Sequence, residues 1–514
     1  MEKMKSIKKI TAILLTIVML IPCVGSALSA FAEDYSHLPQ LYVNGIGSRA
    51  VYDINDPEKK SLFYPVNTEL MLDNLNNLGE YVKKSAENLE PDVLYTIVYS
   101  WAMDSFGMIA FREDGSTPVY DNIVTDPCPL DYAGNGKYLF NYDSRVDPVE
   151  LAHELHNYVI EMQAHSGSRR FELVGSSYGT SIVMAYLNEY PEDRQFIDSI
   201  VLCVPSLGGV DFVGQLFTGD FTLDADTLTD FISFMVANED INLLMSVLNK
   251  SGALDALLTF FVDPVLRIAI LRALKDFAHD VFATLPAMWS FVNDEYFYEA
   301  LEHLYGEDYN SDDHEYAVLI DKLIYYHENV MVRSEELFEI CVQEGIHTNI
   351  ICKYGRPPMP LSENKNYMSD GLVGVETASF GCTSCDYGDV LPQGYEQQLY
   401  KEYDMLSDDG CIDASTGALP FNTWYIKGLE HGEKTEPYFK LIDDIAYRDL
   451  DVFTDSAYPQ FLQVASDGSG RIIPLEDVER EKETTLIQDF FKLLVRLIKL
   501  ITAKLSELFK GQPA

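Results

Sequence analysis

Apolar residues recur along this chain in two spacings. Continuous apolar runs at 41–43, 94–98, 138–142, 171–174, 199–205, 348–354 and 422–428 are rich in β-branched and aromatic residues and read as strands, the last of them closing the series. Met108 to Tyr120 reads as a hairpin around Asp114-Gly115. Residues 67–86 and 148–167 repeat at helical spacing. The second of these begins at Asp147-Pro148, a good cap followed by a good first-turn residue. From 138 to 205 the order is strand, helix, strand, helix, strand, which predicts a parallel sheet with right-handed crossovers. Residues 210–345 break the alternation with successive helical patterns, among them 241–258, 265–282 and 316–326. The pattern therefore predicts an α/β fold with a mostly parallel sheet over 33–209 and 346–470, and a large helical cap inserted at 210–345. Such a cap would either present an apolar face to a substrate or hold a core of its own.

Both ends differ from this body. Lys3, Lys5, Lys8 and Lys9, an apolar stretch over 10–24 and Ala30-Phe31-Ala32 resemble a secretory signal over 1–32, which predicts Glu33 as the mature N-terminus and a secreted protein. Cys23 offers a lipoprotein signal as the rival, but Pro22 before it suits that site poorly. Within the tail, 471–514, residues 484–510 carry Lys492, Arg496, Lys499, Lys504 and Lys510 against Asp489 and Glu507. On a helix the charges gather mainly in an arc of about 100° and apolar residues fill the rest. That shape suits a membrane interface, a docking face on the protein itself, or self-association.

Composition narrows the partners. A net charge of −44 repels nucleic acid and anionic surfaces, so no nucleic-acid partner is expected. Beyond Cys23 the cysteines are Cys128, Cys203, Cys341, Cys352, Cys382, Cys385 and Cys411, an odd number for an exported chain. Cys203 and Cys352 lie in strand-like runs and read as buried thiols. Cys382-Thr383-Ser384-Cys385 has redox-pair or half-metal-site spacing, but no second such motif accompanies it, so no metal is expected. His153 and His156 share a helix face without a carboxylate pattern between them and read as surface histidines. No cofactor is expected.

The chemistry gathers at Gly175-Ser176-Ser177-Tyr178-Gly179. An apolar run ends at Val174 and a helical run begins at Ser181. A G-x-S-x-G between strand and helix is a nucleophile elbow, whose sharp turn lifts the central hydroxyl out of the sheet. Gly175 and Gly179 allow the backbone to crowd there. The Tyr178 amide, at the helix start, would face a developing oxyanion, and the loop after residue 43 would supply the second donor, Ile46 first and Gly47 second. This predicts a serine hydrolase of the α/β-hydrolase fold with Ser177 as nucleophile. Such chains run Ser, acid, His, and of ten histidines only His431 lies beyond the Asp370-Gly371 turn. Asp370 is the expected acid, with Glu376, Asp386 and Asp389 as rivals.

Gly175-Ser176-Ser177-Tyr178-Gly179, Ser369-Asp370-Gly371-Leu372-Val373 with Ala378-Ser379, and Glu430-His431-Gly432 together resemble the lecithin:cholesterol acyltransferase-like α/β-hydrolases. Tyr142-Asp143-Ser144-Arg145 resembles that family's Tyr-Asp-Trp-Arg step, and 285–289 is loosely similar to its Pro-Ser-x-x-Trp lid element. Gly374 stands where the family usually has proline, and Ser144 where it has tryptophan. The resemblance spans roughly 38–450. It implies ester hydrolysis, or acyl transfer to an alcohol, on lipid-like substrates. A general carboxylesterase or peptidase, and a non-catalytic cell-surface protein on the same scaffold, are the alternatives.

Overall fold

Seven parallel strands form the middle of a nine-stranded sheet, and one antiparallel strand closes each edge. In a computed structural model of the chain, the described residues are 37–63, 91–220, 247, 249–252, 264–359, 366–448, 450–465, 467 and 469–475. The signal-like segment 1–32, the helical pattern 67–86, most of 241–258 and the tail 484–510 lie outside them.

The sheet strands in chain order are β1 (Gln40–Val43), β4 (Tyr132–Gly134), β5 (Lys137–Phe140), β6 (Phe171–Ser176), β7 (Ile197–Cys203), β8 (His347–Tyr354), β11 (Thr423–Lys427), β12 (Phe461–Val464) and β13 (Ile472–Pro474). Two small antiparallel pairs lie outside it: β2 (Tyr52–Asp53) with β3 (Ile123–Val124), and β9 (Thr383–Ser384) with β10 (Ile412–Asp413). The spatial order is β4-β5-β1-β6-β7-β8-β11-β12-β13. From β1 the chain steps out to β5, then returns across β1 to β6, so the direction of winding reverses between β5 and β6. Crevices beyond the carboxyl ends of strands at such a reversal are where open α/β sheets place their sites.

Alternate residues of one strand serve opposite cores, as a period of two demands. Leu41, Val43, Leu173, Ile200, Leu202, Ile350 and Cys352 join the cluster that includes α2 (Pro148–Ser166) and α3 (Tyr178–Glu189). Tyr42, Val174, Val201, Cys203, Ile351, Trp424 and Ile426 join that of α11 (Glu436–Arg448). Helix α2 starts as its sequence demands: the Asp147 carboxylate accepts the amides of Val149 and Glu150 at 2.7 and 3.1 Å, and Gly167 ends the helix at φ 73°.

Between β7 and β8 the described chain is helical: α4 (Asp211–Thr218), α5 (Pro264–Asp280), α6 (Pro286–Trp289), α7 (Asp294–Tyr305), α8 (Ala317–Tyr326) and α9 (Ser334–Gln343). Buried residues of α7, α8 and α9 belong to the same cluster as the sheet face, and α9 packs on β8 and α3. This stretch forms the crossover layer between β7 and β8. Helix α5 instead packs on α1 (Pro91–Phe106), sharing a smaller core with Val51, Ile109, Phe111 and Ile123.

Two local expectations are corrected and one is narrowed. Residues 94–98 are helical, within α1. Leu94, Ile97, Ala102 and Ser105 are buried at helical spacing, so the five-residue apolar window is one turn of a longer pattern. The strand over 422–428 is not the last. Strands β12 and β13 follow, of four and three residues, too short to announce themselves by alternation. The hairpin over 108–120 is present but shorter: about the Asp114-Gly115 turn, Phe111 bridges Pro118, Arg112 N–H donates to the Thr117 carbonyl at 2.8 Å and Val119 N–H to that of Ala110 at 2.9 Å.

Candidate active site

Ser177 sits in the turn between β6 and α3 with φ 54° and ψ −127°, a conformation that costs an L-residue strain. The turn is held by main-chain bonds. Ser177 N–H donates to the Cys203 carbonyl at 2.9 Å, and its own carbonyl accepts Thr180 N–H at 2.8 Å and Thr180 Oγ1 at 2.6 Å. Gly179 is where space runs out. A Cβ there would lie 2.3 Å from the Val43 carbonyl oxygen and 2.5 Å from that of Asn44, so helix α3 could not approach β1. At Gly175 the nearest atoms to a Cβ would stand at 3.1–3.2 Å, tight but less severe.

Three elements far apart in sequence meet at this turn. Ser177 Oγ lies 2.7 Å from His431 Nε2, and His431 Nδ1 lies 2.7 Å from Asp370 Oδ2. A carboxylate only accepts, so Nδ1 carries the proton and Nε2 is left to accept from the serine hydroxyl. The other carboxylate oxygen of Asp370 accepts the amides of Leu372 and Val373 at 3.0 and 2.8 Å, and His431 N–H donates to the Asp370 carbonyl at 2.9 Å. Asp370 and His431 are thus fixed through main chain as well as side chain. Asp370 is buried, whereas Ser177 and His431 are partly open to solvent. Of the rival acids, Glu376 instead accepts Ser384 N–H at 3.1 Å, and it is Asp370 that meets His431 Nδ1.

The loop after β1 lies against the serine. A Cβ on Gly45 would stand 3.1 Å from Ser177 Cβ. The segment following β5 stitches this loop in place. Asn44 Nδ2 donates to Asn141 Oδ1 at 2.7 Å, Gly47 N–H to Ser144 Oγ at 2.9 Å, and Tyr142 OH to the Asn44 carbonyl. The Gly47 amide is therefore engaged by Ser144, and of the two expected loop donors Ile46 is the one left for an oxyanion. The Tyr178 amide occupies the first turn of α3, where N–H groups lack intrahelical acceptors. The Tyr178 side chain points away into the core, its hydroxyl on the Val146 carbonyl at 2.6 Å and its ring against Tyr142 and Phe291.

One participant had no sequence motif. Lys353, near the end of β8, is buried, and its Nζ donates to the carbonyls of Glu430, His431 and Glu433 at 3.1, 3.1 and 2.6 Å. It holds the His431 loop from beneath. Burial pushes its pKa down to about 8, with the charge of Asp370 opposing the shift. The only trace in sequence is a lysine inside an otherwise apolar strand run.

Other singled-out residues lie elsewhere. His153 and His156 on α2 bond Tyr190 OH and Asp193 Oδ2, each at 2.7 Å. Trp289, in the stretch similar to a lid motif, is buried and donates to the Ala283 carbonyl at 2.8 Å. Cys203 and Cys352 are buried on β7 and β8. Among the described residues no group of three side chains could hold a metal ion, and no helix is long and apolar enough to cross a membrane.

No protein-family model matches the chain, and no curated protein matches it.

Proposed function

We propose that this chain is a serine hydrolase of the α/β-hydrolase fold, cleaving carboxylic esters through an acyl-enzyme on Ser177. The observation that carries the reading is the hydrogen-bonded series from Ser177 Oγ through His431 to Asp370, at 2.7 Å in both steps, on a strained turn at the carboxyl edge of a parallel sheet. In the proposed reaction His431 Nε2 takes the serine proton as Oγ attacks the ester carbonyl. Asp370 stabilises the imidazolium, and the Tyr178 and Ile46 amides receive the oxyanion. The intermediate collapses as His431 returns the proton to the departing alkoxide, and water or an alcohol then resolves the acyl-enzyme by the same steps in reverse. The resemblance to the lecithin:cholesterol acyltransferase-like enzymes favours lipid-like acyl groups, with export and a lipid surface as the setting.

A fluorophosphonate probe and a p-nitrophenyl ester series of graded chain length test the reading together. Wild type should label and turn over. Ser177→Ala should lose both, with turnover down by several orders of magnitude. Ser176→Ala, one residue out of register, should keep both. Equal turnover by Ser177→Ala and wild type would overturn the assignment.

A further inference from the structure

The motif Cys382-x-x-Cys385 suggests by its spacing that these two thiols act together, but the fold separates them. Cys382 Sγ is directed at the Val375 carbonyl, 3.7 Å away. Cys385 instead faces Cys411 across the small ribbon of β9 and β10. Ser384 pairs with Ile412 in antiparallel register, so the next position sets Cys385 opposite Cys411, and Cys385 N–H donates to the Cys411 carbonyl at 2.9 Å. Both sulfurs converge on one acceptor, the Asp389 carbonyl, at 3.1 and 3.7 Å. Directly opposed antiparallel residues have Cα atoms about 4.5–5.5 Å apart. That falls inside the span of roughly 4.4–6.8 Å that a disulfide bridges without moving the backbone.

We propose that Cys385 and Cys411 are a disulfide-forming pair, which on oxidation closes the loop of residues 386–410 onto the sheet end that carries the candidate acid and base. The neighbouring Cys385 thiol and burial together push the Cys411 thiol well up from its usual value. The link from this loop to the site runs through Asp409. Its carboxylate accepts Cys411 N–H at 3.2 Å, Lys427 Nζ at 2.8 Å and Tyr354 OH at 3.0 Å. Lys427 ends β11, which leads to His431, and Tyr354 ends β8, which leads toward Asp370. A covalent bond at Cys411 fixes the neighbour of that anchor.

Glutathione disulfide is a sufficient oxidant. The thiolate of one cysteine attacks a glutathione sulfur and releases one glutathione thiolate. The second cysteine then attacks the mixed disulfide and releases the other. Two protein thiols are oxidised, one glutathione disulfide is reduced, and the two thiol protons end on glutathione.

The test uses the full chain equilibrated with glutathione disulfide, trapped with an alkylating agent and mapped without reduction. A peptide joining Cys385 to Cys411 is expected, with both residues absent from the alkylated set. Its melting temperature should fall by a few degrees on treatment with dithiothreitol, while that of Cys385→Ser/Cys411→Ser should not respond. A link from Cys382 to Cys385, alkylation of both Cys385 and Cys411 after oxidation, or an equal dithiothreitol response of the double variant would overturn the proposal. None of these readouts uses turnover, so they stand whether or not Ser177 is a nucleophile.

Discussion

Lys353 places a positive charge under the His431 loop, facing three carbonyl oxygens, the Tyr438 ring at 4.5 Å, and the more distant Asp370, Glu433 and Lys434. Its pKa in the fold, about 8, is below the ordinary lysine value of 10.5 because burial disfavours the charge. Between those two values the unfolded chain holds a proton that the folded chain has released. Native stability attributable to this residue therefore rises with pH across that window, and is least where both states are protonated, below it. The difference in melting temperature between wild type and Lys353→Met should shift in favour of wild type from pH 7.5 to pH 10, by calorimetry in matched buffers. A difference that stays constant would mean that the ammonium is not desolvated there. This residue was invisible in the sequence because its partners are backbone carbonyls 77 to 80 positions away, which leave no side-chain signature. Ser177, Asp370 and His431 were legible for the opposite reason. Each needs a particular side chain on a particular turn, and only one histidine lay far enough along the chain.

At the scale of elements, the loop 44–48 and the segment 141–145 form one unit, although 97 residues separate Gly47 from Ser144. Ser144 is buried, and its hydroxyl is the acceptor for the Gly47 amide. Ser144→Ala should leave that amide unpartnered at a cost of about 1 kcal/mol, loosening the Ile46 amide proposed as an oxyanion donor. The expected result is a several-fold loss of kcat on soluble esters with KM nearly unchanged, and Ser144→Thr should recover much of it. Loss of KM alone would place the loop in substrate binding instead. Elements were readable where pattern and capping agreed over three or more turns, as in α2. A window shorter than its element misleads, as the apolar residues 94–98 do within α1. Elements were missed where a strand of three or four residues owes its existence to a neighbour, as with β13 beside β12.

For the molecule as a whole, the described sheet is complete by Pro474, and α11 covers one of its faces together with Leu450, Val452 and Leu462. The proposed lipid contact of 484–510 is therefore separable from the candidate site. Truncation after Glu483 should abolish co-sedimentation with anionic liposomes and leave turnover of a soluble ester unchanged. Unchanged sedimentation would rule the tail out as the anchor. Deleting the insertion between β7 and β8 is a different matter. Its later helices, α8 and α9, supply part of the main core, so a deletion reaching that far removes support for β8 along with any cap.

The pair Ser177 and His431 is separated by 254 positions, about half of the chain. On a ribosome Ser177 emerges long before His431, and β11 must already be seated against β8 before the two can meet. Contacts so distant along a chain form late, because the entropy of closing the intervening loops comes first. Under the proposed function the newborn polypeptide carries a latent serine until these strands dock, and reactivity toward a fluorophosphonate would be a clock for the end of folding. In a refolding reaction, covalent labelling of Ser177 should lag behind the recovery of helical circular dichroism, and the lag measures how long the last strands take to dock.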